Sequence, residues 1–136
     1  MKYNIKEYCE YKQEEILHLY EQVGWTNYTV NPEMLRKAYE NSLKILAAYD
    51  GEALIGIIRA VGDGASILYI QDILVLPEYQ RMGVGSALMN EMLANYQQVY
   101  QKVLLTDDSE KTIQFYKSVG LEMDRESGCV AFWRVY

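Results

Sequence analysis

The stretch that decides the fold runs from Leu74 to Leu88 and reads LVLPEYQRMGVGSAL. It begins as an apolar strand, which Pro77 ends because proline has no N–H to donate to a sheet ladder. Apolar residues then recur at helical spacing from Val84 onward, so the stretch predicts a strand, a loop and a helix start. The first N–H groups of a helix have no partner inside it and lie in the positive field of the peptide dipoles. The loop therefore predicts a binding site for an oxyanion.

Three residues of this loop suit a phosphate ligand. Gly83 has no Cβ, so a phosphate can approach the amides closely. Gly85 would let the helix pack tightly on the sheet, and Arg81 adds a charged donor. Two common nucleotide loops are disfavoured, because a dinucleotide fingerprint needs glycine where Leu88 stands and a P-loop needs Gly-Lys-Ser or Gly-Lys-Thr. A Gly-x-Gly turn without any ligand is the alternative.

Hydrophobic periodicity and turn signals place the other elements around this stretch. The predicted strands are 2–8, 44–49, 53–61, 66–76, 103–106 and a last one over 128–136; the predicted helices are 13–23, one starting at Asn31-Pro32, 84–96, and one capped by Asp108 or Ser109 and ending at Gly120. The order β-α-α-β-β-β-α-β-α-β is a mixed α/β fold with helices covering a sheet. Because no linker or repeat interrupts 136 residues, we expect one domain over 1–136.

Two motifs resemble those of the GCN5-related N-acetyltransferase family. The first is Gln80-Arg81-Met82-Gly83-Val84-Gly85 after the apolar strand, and the second is Phe115-Tyr116-Lys117-Ser118-Val119-Gly120-Leu121. The resemblance covers the element order of the whole chain and the motifs of 66–121. It implies an acyl-CoA N-acyltransferase fold, with a mostly antiparallel central sheet whose middle strands splay apart. More loosely, Gly24-Trp25 and residues 69–79 resemble the plastid serotonin-type acetyltransferases.

The resemblance also implies how coenzyme A would bind. Its diphosphate would lie on the loop amides of Arg81, Met82, Gly83, Val84, Gly85 and Ser86. Its pantetheine arm would pair with the backbone of Ile73, Leu74 and Val75, with the acyl group in the gap between the splayed strands. The family usually has an asparagine seven positions before the tyrosine of its second motif, where this chain has Ser109. We therefore expect one pantetheine contact to differ.

The predicted chemistry is transfer of an acetyl group from acetyl-CoA to an amine. Backbone N–H groups near Leu74 and Val75 can stabilise the tetrahedral oxyanion. Tyr116 is the donor to the departing thiolate that the resemblance implies. A tyrosine of pKa about 10 giving its proton to a thiolate of pKa about 8.5 goes uphill by roughly 2 kcal/mol. Tyr116 would therefore mainly donate a hydrogen bond; packing of its ring is the alternative.

The general base is open on the sequence alone. Asp72 is a carboxylate in an apolar strand, so it is either paired structurally or faces the site as a base, because an unpaired buried charge is costly. Tyr69 and a water chain are the other candidates. His18 lies off the apolar stripe of its helix and is predicted to be solvated.

The acceptor site is predicted between the first two helices. Trp25 and Tyr28 lie there, where the resemblance places the acceptor pocket. Two aromatic residues suit an apolar or aryl amine, with core packing as the alternative.

Composition narrows the partners. A net charge of −6 argues against broad nucleic-acid binding, which needs a basic surface. No apolar run is long enough for a membrane span, and the N-terminus has no signal-like stretch. Cys9 and Cys129 have no metal-like spacing, so we expect cytosolic thiols, a cytoplasmic protein and no metal. We expect a small-molecule amine as partner and keep a homodimer open. The rival functions are a non-catalytic coenzyme A sensor and an interaction protein without coenzyme.

Overall fold

The computed structural model describes residues 2–136. The strands are β1 (Asn4–Glu7), β2 (Lys44–Asp50), β3 (Ala53–Gly62), β4 (Ile67–Val75) and β5 (Gln101–Leu104). The helices are α1 (Gln13–Gln22), α2 (Thr26–Thr29), α3 (Pro32–Glu40), α4 (Val84–Asn95) and α5 (Glu110–Ser118), with short 3-10 turns at Pro77–Tyr79 and Asp124–Ser127. No helix in residues 2–136 is long and apolar enough to cross a membrane.

The sheet has the order β1-β2-β3-β4-β5. Its first four strands are antiparallel neighbours, and β5 lies parallel to β4. The mixed, mostly antiparallel α/β fold is thus confirmed. The pairing between β4 and β5 covers only Ile67–Ile70, although β4 continues to Val75. The last five residues of β4 therefore extend beyond its parallel neighbour.

Helices pack on both faces of the sheet. A Cβ built on Gly56 in β3 would lie 3.2 Å from Leu88 Cδ1 and 3.3 Å from Val84 Cγ1, so α4 approaches the sheet most closely at this glycine. Arg59 is three residues further along the same strand, and its side chain therefore points to the opposite face. There it stands over the ring of Tyr39 from α3, at 5.4 Å from the centroid.

Local chemistry explains the predicted helix starts. Asn31 caps α3, since its Oδ1 accepts from the Met34 N–H at 3.3 Å, and proline follows at the first helical position. Ser109 caps α5 in the same way by accepting from the Thr112 N–H. The sequence did not predict α2, which has only four residues and therefore too few positions for a periodic pattern. The strand expected at 103–106 lies two residues earlier.

The chain divides into two compact units, one ending at Leu105 and one running from Thr106 to Tyr136. The second unit contains α5 and a 3-10 turn that ends at Gly128, whose φ is 87°. The predicted strand over 128–136 is wrong, because this segment forms no strand in the described part of the chain. Phe132 is 93% exposed. The alternating apolar pattern of residues 128–136 expresses only a local preference for a strand. A strand forms where hydrogen bonds to a neighbouring strand and side-chain packing add to that preference. The expectation of a single domain stays a prediction.

Candidate active site

The loop between β4 and α4 has two left-handed residues. Gly83 has φ 81° and is the N-cap residue of α4, and Arg81 has φ 66°. No side chain caps this helix start, and its first turn has no acidic residue. A Cβ placed on Gly83 would meet nothing within 4 Å, so the space in front of the glycine is open. Uncapped amides, a free approach and a nearby guanidinium suit the diphosphate of a coenzyme.

The predicted loop residues differ in what they present to solvent. Arg81, Met82 and Gly83 are exposed, whereas Gly85 and Ser86 are partly buried. Val84 is 1% exposed and packs its side chain in the core, so only its backbone can serve a ligand. A ligand at this loop would therefore meet main-chain groups at Val84 and exposed side chains at Arg81 and Met82.

The end of β4 also presents main-chain groups. Because the Leu76 N–H bonds to the Ile55 carbonyl, the alternation of an antiparallel ladder turns the N–H and C=O of Leu74 towards β3 as well. Those of Ile73 and Val75 turn to the opposite side, which β5 does not reach. This alternation narrows the prediction for the pantetheine arm to Ile73 and Val75, and the oxyanion donor to the Val75 N–H.

Gln80 ties the loop to this strand. Its Nε2 donates to the Val75 carbonyl at 3.0 Å. One of the main-chain acceptors at the end of β4 is thereby occupied, and the start of the phosphate loop is held against the strand that precedes it.

A β-bulge lies next to these residues. Arg59 pairs with Asp72 and Ala60 pairs with Ile70, so Gln71 is an extra residue in β4. Bulges re-aim side chains and occur often beside active sites. Here two consecutive residues of β4 both reach tyrosines of the first unit.

The Asp72 carboxylate lies in a buried ion pair. The Arg59 Nε donates to its Oδ2 at 2.7 Å, and the side chains of Arg59 and Asp72 are 5% and 0% exposed. The hydroxyl of Tyr20 donates to the same oxygen at 2.7 Å. Of the two alternatives for Asp72, structural pairing is the one that these contacts support.

An aromatic group adjoins this ion pair. The rings of Trp25 and Tyr28 stack at 6.2 Å between centroids with an interplanar angle of 28°. The ring of Tyr20 meets both edge-on, at 6.2 Å and 5.4 Å. The Gln71 Nε2 donates to the Tyr28 hydroxyl at 3.3 Å. Trp25 and Tyr28 are half-buried and keep surface free for a ligand, whereas Tyr20 is fully buried.

Three other titratable candidates complete the description. Tyr116 lies in α5 of the second unit, and burial raises its pKa above 10 although a hydrogen bond with Thr106 opposes this. Burial also raises the pKa of Tyr69, which makes the phenolate that a base would need harder to form. His18 is exposed, as predicted. In the described residues 2–136, no three His, Cys, Asp or Glu side chains are grouped so as to hold a metal ion.

The sequence profile of the acetyltransferase (GNAT) domain matches residues 9–134. This chain belongs to the GCN5-related N-acetyltransferase (GNAT) family. The GNAT profile covers both motifs, and GNAT enzymes are acyl-CoA-dependent acyltransferases.

Individual GNAT proteins agree with this assignment. The structure of a GNAT-family acetyltransferase from Streptococcus pneumoniae TIGR4 superposes with a TM-score of 0.91 at 44% identity, over 99% of this chain and 98% of that one. A Prochlorococcus marinus protein, described as an uncharacterized N-acetyltransferase, is 30% identical over 88% of this chain and 67% of its own length. A rice protein named serotonin N-acetyltransferase 2, chloroplastic, is 28% identical over 75% of this chain. This chain spans only 54% of that rice relative.

The GNAT motifs did not reveal three residues of the site. The predicted helix over 13–23 contains Tyr20 and the predicted strand over 53–61 contains Arg59, but neither pattern indicates a role for these side chains. Gln80 belongs to the first motif, but the motif does not indicate that its side chain bonds to β4. A signal was present for Arg59, since a lone charge in the run ALIGIIRAV requires a buried partner. The register that makes Asp72 that partner depends on the bulge, which the sequence does not reveal.

Proposed function

We propose that this chain transfers an acetyl group from acetyl-CoA to the primary amine of a small, apolar or aryl compound. The observation that carries the proposal is the uncapped start of α4, where left-handed Arg81 and Gly83 leave amides open to an anion. Family membership supports the coenzyme class. The acceptor class rests on the half-buried pair of Trp25 and Tyr28.

The coenzyme would be held mainly by main-chain groups. The amides of residues 81–86 would bind its diphosphate, with the Arg81 guanidinium as a charged donor. Ile73 would pair with the pantetheine arm along the edge of β4 that β5 does not cover. Val75 would take part through the second lone pair of its carbonyl, which leaves the Val75 N–H for the oxyanion. Acetyl-CoA supplies the activated acyl carbon as a thioester.

The acceptor would lie against Trp25 and Tyr28. Aromatic faces bind apolar and aryl groups and also attract an ammonium ion before it loses its proton. Gln71 adds a neutral amide beside the Tyr28 hydroxyl. The name of the rice relative, serotonin N-acetyltransferase, supports an aryl-substituted amine as the first compound to try.

The reaction forms one C–N bond and breaks one C–S bond. The neutral amine attacks the thioester carbonyl, and the Val75 N–H would stabilise the resulting oxyanion. Collapse expels the coenzyme thiolate, to which Tyr116 would donate a hydrogen bond. The raised pKa of Tyr116 makes full proton transfer to the thiolate more unfavourable than for an ordinary tyrosine. The amine proton would leave through water, because the Asp72 carboxylate is buried in its ion pair and the pKa of Tyr69 is raised.

The test is turnover of acetyl-CoA with a panel of aryl, alkyl and polycationic amines, followed by mass spectrometry of the acetylated product. Mass spectrometry avoids thiol reagents, which the exposed Cys9 and Cys129 would consume. We expect acetylation of arylalkyl amines at higher kcat/KM than of aminoglycosides. Binding of acetyl-CoA without acetylation of any amine would indicate a sensor module, and absence of binding would refute the proposal altogether.

A further inference from the structure

A fully buried polar cluster links the sheet to the aromatic group. We define the buried cluster as Arg59, Asp72, Tyr20 and Tyr39. Its centre is Asp72 Oδ2, which accepts from Arg59 Nε and from the Tyr20 hydroxyl, each at 2.7 Å. The hydroxyls of Tyr20 and Tyr39 are 2.9 Å apart. Because Tyr20 gives its single proton to Asp72, Tyr39 is the donor to Tyr20.

The bulge in β4 connects this cluster to Tyr28 through a closed ring of contacts. Gln71, the extra residue, bonds to the hydroxyl of Tyr28, and the next residue, Asp72, bonds to the hydroxyl of Tyr20. The rings of these two tyrosines are 5.4 Å apart. One irregular step of β4 therefore holds two neighbouring aromatic rings by their hydroxyls.

Tyr20 supports the aromatic pair from behind. Its ring meets those of Trp25 and Tyr28 edge-on, and its carbonyl accepts from the Trp25 N–H at 2.9 Å. Tyr20 is 0% exposed, so it cannot touch a substrate itself. Tyr20 can therefore affect binding only through the residues that it contacts, of which Trp25 and Tyr28 have exposed surface.

The hydroxyl of Tyr20 remains a donor over the whole physiological range. Burial, more than any other cause, raises the pKa of Tyr20 well above 10, and the interactions with Tyr39 and Asp72 raise it further. The contact to Asp72 is therefore not a proton switch. We call this fixed hydrogen bond between Asp72 of β4 and the hydroxyl of Tyr20 the tether.

We propose that Asp72 and Tyr20 are positioning residues that fix the orientation of Trp25 and Tyr28 and thereby set the affinity for the acceptor amine. The inference rests on the proposed function for its kinetic consequence only. It replaces proton transfer as the role of Asp72, because both donors converge on a carboxylate that is fully buried and paired with Arg59.

The experiment compares Tyr20→Phe with Tyr39→Phe in a Trp133→Phe background, where Trp25 is the remaining tryptophan. Each variant loses one hydroxyl of the buried cluster and keeps its ring. Only Tyr20→Phe cuts the tether to Asp72, whereas Tyr39 has no ring contact with Trp25 or Tyr28 among the aromatic pairs of the described residues. The readouts are Trp25 fluorescence without substrate, the KM values for amine and acetyl-CoA, and the midpoint of urea unfolding.

We expect Tyr20→Phe to shift the Trp25 emission and to raise the KM for the amine about 3- to 10-fold, the scale of one lost hydrogen bond. The KM for acetyl-CoA should stay within about twofold, and Tyr39→Phe should change neither the emission nor the amine KM by as much. Asp72→Asn, which keeps an oxygen acceptor, should retain the shape of the pH profile of kcat/KM.

Several results would overturn the inference. Unchanged Trp25 emission in Tyr20→Phe would refute the tether whether or not the protein turns over. Equal effects of Tyr20→Phe and Tyr39→Phe on the amine KM would mean that the cluster stabilises the fold without orienting the aromatic pair. Loss of the acidic limb of the pH profile in Asp72→Asn would return Asp72 to the role of base. A shifted Trp25 emission in Tyr20→Phe, found together with a Trp133→Phe parent that acetylates no amine, would support the tether and refute the proposed function.

Discussion

The loop that opens α4 and the aromatic group beside α1 contrast in the part of the chain that each would offer to a ligand. The loop presents main-chain amides in left-handed geometry, and its side chains either point to solvent or, as with Val84, into the core. The aromatic group presents side chains, brought together from α1, from residues 25–28 and from β4. A backbone site depends on a few consecutive residues, whereas a side-chain site depends on the whole sheet register.

This difference decides which substitutions are tolerated. At the loop, we expect most side chains to be replaceable as long as residues 81 and 83 can still adopt a left-handed φ. At the aromatic group, a change in a distant strand can reach the ligand surface through Asp72 and Tyr20. The following variants test that contrast, from the largest expected effect to the smallest.

The largest effect is expected on stability when the ion pair is broken. Asp72→Ala leaves the Arg59 guanidinium buried without its carboxylate. Breaking a buried pair in this way costs about 3–5 kcal/mol. Urea unfolding should show this loss, while the exposed neighbour substitution Gln71→Ala should cost no more than about 0.5 kcal/mol. Equal losses in the two variants would mean that the pair contributes nothing specific.

Tyr116→Phe should lower kcat by about 10- to 100-fold, which is at or below the low end of the range for acid assistance. The expected loss is limited because the raised pKa of Tyr116 favours a hydrogen bond over proton transfer. Affinity for acetyl-CoA should change little, since the contact develops mainly in the transition state. Tyr100→Phe, at a side chain that is 88% exposed, is the control. A kcat within twofold of the parent, with chemistry rate-limiting, would make Tyr116 a packing residue.

Gly83→Val should weaken binding of acetyl-CoA about tenfold or more, the equivalent of losing roughly one charge-assisted hydrogen bond. Valine would enter the open space before the amides and is strained at φ 81°. Gly51→Val is a matched control, because Gly51 also has a left-handed φ of 62° and open space but lies in the β2–β3 turn. Calorimetry of acetyl-CoA binding separates the outcomes. If backbone strain alone lowers the affinity, Gly83→Val and Gly51→Val should lower it equally. Unchanged affinity in folded Gly83→Val would show that the loop does not bind the coenzyme.

Trp25→Ala should have the smallest effect, raising the KM for the amine by roughly three- to tenfold, as truncation of an aromatic contact does. The KM for acetyl-CoA should be spared. Trp133→Ala removes an exposed tryptophan of the second unit and serves as the comparison. A lower melting temperature with both KM values unchanged would show that Trp25 is purely structural.

The sequence predicts the loop better than the aromatic group, because the loop depends on neighbouring residues and the aromatic group depends on the sheet register. The strand before Pro77, the glycine at 83 and the start of α4 are all encoded within residues 74–88, so the sequence predicts the extent of the loop but not the left-handed φ of Arg81. The sequence likewise predicts Asn31 as a cap and leaves Asp108 and Ser109 as alternatives for α5, of which Ser109 is the cap. These features depend on local chemistry, which one sequence carries in full.

The buried cluster could not be predicted in this way. Asp72 was identified as an anomaly, but its partner Arg59 depends on a register that one extra residue, Gln71, shifts. The error at residues 128–136 has a related cause. An alternating apolar pattern expresses a preference for a strand, while the partner that completes a strand is not written in the segment itself.

Amide chemical shifts during titration of the wild-type protein with acetyl-CoA would test the central claim most directly, because the claim concerns main-chain N–H groups. We predict that the largest shifts fall on residues 81–86, with further shifts at Ile73 and Val75. The amides of Trp25 and Tyr28 should move little until an amine is added. Unshifted amides over 81–86 at saturating acetyl-CoA, or no saturable shift anywhere, would contradict the account.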